Sequence, residues 1–242
     1  MHNPSIVFAG SNIRVIWFRT GSEKVIVTFD HWKRERANFE EFANGTYCTK
    51  MGFDHIHFQT SRNDWYINDE WGPSLESIAS KIESYKASRC VGFSMGGIPA
   101  LLSADQVGAT SAVSISPRLP PATVSSQHHV NLLGGCAQSL IVFDPKSMPD
   151  KRAARFIALQ NEKVKTIELV GGGHPAVGLI KRSGRKREAL SIIIRSDNVA
   201  EDLMALHFEA SRSDMGLAGW GNWIPTQLRQ LARLIYPPGR AA

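Results

Sequence analysis

Cysteine is scarce in this chain. Cys48, Cys90 and Cys136 are the only three in 242 residues, and they form no C-x-x-C pair. An odd, scattered set argues against a disulfide framework and a thiolate zinc site, and suits a reducing compartment. Long apolar runs are missing too: none approaches the roughly 18 to 20 residues that span a bilayer. The opening residues have no basic n-region, and the apolar stretch 6–9 is too short for a secretory signal. These absences set the expectation of a soluble, cytoplasmic protein with no membrane partner. Charge of one sign is modest, since 28 Lys+Arg against 22 Asp+Glu leaves +6. That surplus favours anionic partners weakly and specifies none. Internal repeats and low-complexity linkers are absent. With 43% hydrophobic and 21% charged residues the composition is globular, and residues 1–242 read as a single domain.

What is present is an alternation of strands and helices. Ser5–Ala9, 13–19 and Lys24–Phe29 read as strands, broken at Gly10–Ser11 and Gly21–Ser22. Their close spacing suggests antiparallel neighbours joined by tight turns. Further strands are expected at 54–59, 89–93, 110–115, 139–143 and 164–169. Helices are expected at 74–85, 96–103 and 150–160. Within the first of these, Leu75, Ile78, Ile82 and Tyr85 recur every three or four residues and mark one face. The tail from 176 reads as helical in pieces, ending in an amphipathic segment at 223–235. This order implies an α/β fold: a mostly parallel central sheet with an antiparallel N-terminal start and helices on both faces.

The strongest chemical signal is Gly92-Phe93-Ser94-Met95-Gly96, which fits G-x-S-x-G between an expected strand and an expected helix. In that setting the serine sits on a sharp turn, small flanking residues let strand and helix approach, and free helix N–H groups face an oxyanion. A serine needs a base. His174 ends the run Gly171-Gly172-Gly173 just past the last expected strand, at the sheet edge that Ser94 also occupies. His55 and His57 share a strand face, but no carboxylate or cysteine completes a metal site with them, and His128–His129 read as solvated loop residues. The imidazole needs an orienting acid. Asp144 follows the strand 139–143 and is favoured; Asp150 is the competitor, although its place also reads as a helix start.

Ser94, Asp144 and His174, in that order and each after a strand, resemble the triad of the α/β-hydrolase superfamily over roughly residues 24 to 182. The resemblance implies that Ser94 is the nucleophile, His174 the base and then acid, and Asp144 the orienting acid. It also implies one oxyanion N–H from Met95 and a second from His31 or Trp32. Two departures from the family pattern stand out. Phe29-Asp30-His31-Trp32 occupies the place where many relatives carry His-Gly, and Pro99 lies inside the helix after the elbow, where it removes a backbone donor.

The interval 116–138 is too short for a large lid, so an open site is expected unless the C-terminal helices cover it. Trp65 and Tyr66, on an aromatic loop at the same edge, read either as a substrate wall or as packing anchors. The run Lys181, Arg182, Arg185, Lys186 and Arg187 reads as an attractor for an anionic ester, such as an acyl-CoA or an acidic glycan ester, or as a solvated connection. It lacks the aromatic interleaving of a nucleic-acid site. The expected function is a serine esterase that cleaves a small-molecule or glycan-linked acyl ester, with no metal or organic cofactor. Acyl transfer or thioester cleavage by the same triad is the enzymatic alternative. A non-catalytic hydrolase-like protein that binds an anionic partner is the alternative of another class. Oligomeric state is not readable.

Overall fold

In the computed structural model, the residues described are 4–41, 46–121 and 138–214. His128–His129, Cys136, most of the short lid interval and the expected helix at 223–235 lie outside them. Eight strands form one sheet: β1 (Ser5–Ala9), β2 (Ile13–Phe18), β3 (Lys24–Phe29), β4 (Asp54–Thr60), β5 (Ala87–Phe93), β6 (Ser111–Ile115), β7 (Gln138–Phe143) and β8 (Val164–Glu168). Their order is β1-β2-β4-β3-β5-β6-β7-β8. The β1–β2 and β2–β4 pairs are antiparallel and every later pair is parallel.

The start of the sheet corrects one expectation. β3 does not pair with β2, because β4 lies between them and pairs with both. The connection from β2 to β3 explains how. Asp54, the first residue of β4, takes the backbone N–H groups of Thr20, Gly21 and Ser22 and the Thr20 hydroxyl on one carboxylate oxygen, at 2.7 to 3.1 Å. The turn therefore wraps over the end of β4, and the chain emerges on its far side. Gly21, at φ 85, supplies the left-handed residue this wrap requires.

Helices α1 (Tyr47–Lys50), α2 (Trp71–Glu83), α3 (Gly97–Gln106), α4 (Met148–Gln160), α5 (Gly178–Arg182), α6 (Lys186–Arg195) and α7 (Val199–Asp214) complete the described elements. Alternate strand residues point to opposite faces, and both faces are apolar. Val25 and Val27 share one core with Ile78 and Ile82 of α2, Ile98 of α3 and Ile157 of α4. Ile26 faces the other, with Ile180 of α5, Ile193 of α6 and Leu203 of α7. Each such side chain contributes about 1.5–3 kcal/mol on burial. Doubly covered parallel strands of this kind read as continuous apolar runs rather than alternating ones. Pro99 fits easily, since α3 begins at Gly97 and the third helical residue has no intrahelical acceptor for an N–H. None of the described helices is long and apolar enough to cross a membrane.

Candidate active site

β5 ends at Phe93, and the chain turns through Ser94–Gly96, a single 3-10 turn, into α3. Ser94 has φ 52, a left-handed conformation that a non-glycine residue rarely adopts. Strain of this kind costs about 1–3 kcal/mol and persists only where the surroundings enforce it. Here the two motif glycines permit the crowding. A Cβ on Gly92 would lie 1.9 Å from the Gly96 carbonyl oxygen, and a Cβ on Gly96 would lie 2.8 Å from that of Asp30. The elbow is thus pressed against the loop that leaves β3.

His174 reaches the same place from β8. Its Nε2 lies 2.9 Å from Ser94 Oγ. Its Nδ1 lies 3.1 Å from both carboxylate oxygens of Asp150. Asp150 is fully buried near the start of α4. With Nδ1–H donating to that carboxylate, Nε2 is left as an acceptor for the serine hydroxyl.

The acid favoured from sequence, Asp144, is elsewhere. It is 1% exposed, and its Oδ2 accepts the N–H groups of Gly171 at 3.0 Å and Gly173 at 2.7 Å. Its Oδ1 accepts Lys146 N–H at 2.9 Å. A carboxylate at the end of β7 meets the backbone of the glycine loop before it can meet the imidazole, whereas Asp150, six residues on in the first turn of α4, faces it. Asp144 holds the loop that carries His174. Ser116 Oγ anchors the other side, accepting Ala176 N–H at 2.8 Å.

Arg118 is a member of the site that the sequence reading missed. Its Nε–H donates to Asp150 Oδ1 at 2.9 Å and lies 3.4 Å from His174 Nδ1. Because Nδ1 is itself the donor to Asp150, the arginine bond goes to the carboxylate. Its place at the carboxyl edge just after β6 was the available signal. Of the two readings open for Trp65 and Tyr66, their contacts are those of packing anchors. Trp65 Nε1–H donates to the Arg118 carbonyl at 2.9 Å. Tyr66 is buried, accepts Asp30 N–H and donates to the Phe58 carbonyl, both at 2.8 Å. Burial, reinforced by the nearby Asp30 charge, pushes its phenol well above the ordinary value and keeps it a donor.

The loop after β3 is held by a buried charged network. Arg36, its side chain 1% exposed, pairs with Asp30 and donates to the carbonyls of Thr60 at 3.0 Å and His31 at 2.9 Å. Burial alone would raise the Asp30 carboxyl; the His57 hydrogen bond and the His57 and Arg36 charges outweigh it and hold the group low. Thr28 Oγ1 bridges His55 Nε2 and His57 Nδ1 at 2.6 and 2.7 Å, so these two histidines serve the network. Asp30 N–H is taken by Tyr66, and the next two residues of this loop, His31 and Trp32, line the same cleft as Ser94.

A cleft of about 530 Å³ opens beside Ser94 and His174. His31 and Trp32 line one side, and Val177, Lys181, Lys186, Leu190 and Ile193 line another. Helix α6 is therefore a wall of the site. The wall is mostly apolar, as in sites that bury the body of a small ligand.

No protein-family model matches this chain, and no curated protein matches it. Solved structures do. A capsule O-acetyltransferase of Neisseria meningitidis serogroup A aligns at TM-score 0.52 and 16% identity, over 78% of this chain and 93% of its own. An esterase of Pyrococcus furiosus aligns at TM-score 0.46 and 13% identity, over 73% and 84%. A lidless α/β serine hydrolase of Xanthomonas campestris aligns at 0.44 and 12%, over 76% and 88%. The likeness to the first of these concerns the fold alone.

Proposed function

We propose that this protein is a serine hydrolase of acyl esters, working through an acyl-enzyme on Ser94. The observation that supports it most is the hydrogen-bonded line from Ser94 Oγ through His174 to Asp150, at 2.9 and 3.1 Å, beginning on a serine held in a strained elbow. In the first step Ser94 Oγ attacks the ester carbonyl while His174 Nε2 takes its proton. Asp150 fixes the imidazole tautomer and stabilises the imidazolium. The negative carbonyl oxygen is received by the N–H of Met95 at the head of the elbow and by that of His31 or Trp32. His174 then protonates the departing alcohol, and water, activated by the same imidazole, releases the acid and restores Ser94.

Acyl transfer uses the same acyl-enzyme and differs only in the acceptor that replaces water. Lys181 and Lys186 at the cleft are exposed among the described residues, so water reaches it, which favours hydrolysis. A fluorophosphonate probe should label the wild type at Ser94 and leave Ser94→Ala unlabelled. Wild type should turn over p-nitrophenyl esters, with Ser94→Ala and His174→Ala reduced by several orders of magnitude and still folded. An unlabelled wild type, or variants with near wild-type turnover, would show that the line of hydrogen bonds is not a catalytic one.

A further inference from the structure

The basic run behind His174 behaves as two sets once folded. Arg185 is neutralised by Glu188 and Glu209. Arg182 donates to the Gly171 carbonyl at 2.7 Å, so it braces the loop that carries His174. Lys181 near the end of α5 and Lys186 at the start of α6 are different. Both line the cleft beside Ser94, and among the described residues neither takes part in an ion pair. Among the described residues, no acidic side chain lines that cleft. Away from His31 and Trp32, the side of the cleft formed by Phe29, Phe93, Val177, Leu190 and Ile193 offers nothing to an anion and a good surface to a hydrocarbon body.

We infer that the ester taken by this site carries an anionic group on an apolar body, with the anion received by Lys181 and Lys186 and the body lying on the Phe93–Ile193 side. This rests on the hydrolase reading and adds its substrate class. A lysine ammonium is a compact point charge on a flexible stem, so the pair suits a carboxylate or phosphate whose distance from the ester varies somewhat. A neutral ester of the same length would leave both ammonium groups in water and gain only the apolar contact. The anion can lie on the acyl side or on the alcohol side of the ester, and the two are separable by experiment.

The test compares wild type with Lys181→Met, Lys186→Met and the double variant, methionine keeping an apolar stem of similar length. One arm uses p-nitrophenyl hemiesters of dicarboxylic acids from succinate to suberate against their methyl-capped neutral counterparts. The other uses acetate esters of ω-hydroxy carboxylates against those of simple alcohols. In one arm the anionic-to-neutral ratio of kcat/KM should fall about tenfold in the double variant, the scale of losing a hydrogen bond to a charged group. The arm in which it falls identifies the side that bears the anion. The wild-type preference should also shrink towards 1 M salt, where the Debye length drops to about 3 Å. Calorimetric binding of octanoate to the Ser94→Ala chain, with and without the lysines, reads the same contact without catalysis. Equal ratios in wild type and double variant in both arms, with octanoate binding unchanged, overturn the inference while leaving the hydrolase intact. If no ester is cleaved, the hydrolase reading fails and octanoate binding alone decides.

Discussion

Replacing Asp150 by asparagine probes the site where its geometry is most demanding. The wild-type carboxylate accepts from two donors, His174 Nδ1–H and Arg118 Nε–H, and is fully buried. An asparagine of the same shape has one acceptor oxygen and one NH₂. If the oxygen stays with His174, the NH₂ confronts the arginine N–H, donor against donor. If the amide turns, the NH₂ faces Nδ1, and the imidazole must adopt the tautomer that places a hydrogen on Nε2. The serine then has no base. A loss of about 10³ to 10⁴ in kcat is expected, corresponding to about 4 to 5 kcal/mol of transition-state stabilisation, with KM little changed. Asp144→Asn disturbs something else. It sets an NH₂ against backbone N–H groups in the glycine loop or at Lys146, costing about 1–3 kcal/mol of stability. Its effect on activity passes through the loop that carries His174 and should be the smaller of the two. Steady-state hydrolysis of p-nitrophenyl acetate and urea unfolding of both variants make the comparison. A wild-type rate for Asp150→Asn alongside a collapsed rate for Asp144→Asn would refute this assignment of the acid.

Two further outcomes follow from the buried polar groups. Arg36→Met leaves the buried Asp30 carboxylate with His57 but without its arginine and should cost about 3 kcal/mol of stability; a shift in urea midpoint worth under about 0.5 kcal/mol would show that the Arg36 pair contributes nothing. His207, whose Nε2 lies 3.1 Å from the Val170 carbonyl, is held neutral by burial, which takes its pKa from 6.5 down to about 4. Between those values the unfolded chain binds a proton that the folded one refuses, so stability falls as pH drops from 6.5 towards 4, by about 3 kcal/mol. His207→Gln should flatten that part of the stability–pH curve, and an unaltered slope would contradict the argument.

The strand–helix order and the elbow were legible because both are local. Apolar runs, turn residues and a five-residue motif report on a few neighbours at a time. The sheet order was less so: nothing in 13–29 reveals that Asp54 gathers the 20–22 turn and sends β3 to the far side of β4. The acid was ambiguous for a related reason. Asp144 and Asp150 lie on one connection at one sheet edge, and which of them meets His174 depends on the glycine loop reaching Asp144 first. Asp150 does sit in the first turn of a helix, as its sequence suggests, yet Ser147 at the N-cap makes no side-chain capping bond, and the carboxylate turns to the imidazole. Arg118 had only its place after β6 as a signal and Arg36 none, since Asp150 is distant from the one in the chain and Asp30 is hidden in a loop with the other.

The position of β8 has a consequence for the way the protein comes apart. Ser94 hangs from β5, in the middle of the sheet, but the segment that delivers His174 hangs from the last strand at the edge. Of the five residues of β8 only Ile167 is buried, and among the described residues the strand pairs only with β7. Edge elements with few buried side chains open before the centre does. Warming or mild denaturant should therefore part the base from the nucleophile while the central strands remain folded, so that inactivation precedes global unfolding. Resistance to inactivation is set at the β7–β8 seam, and reinforcing the already dense core would do little for it.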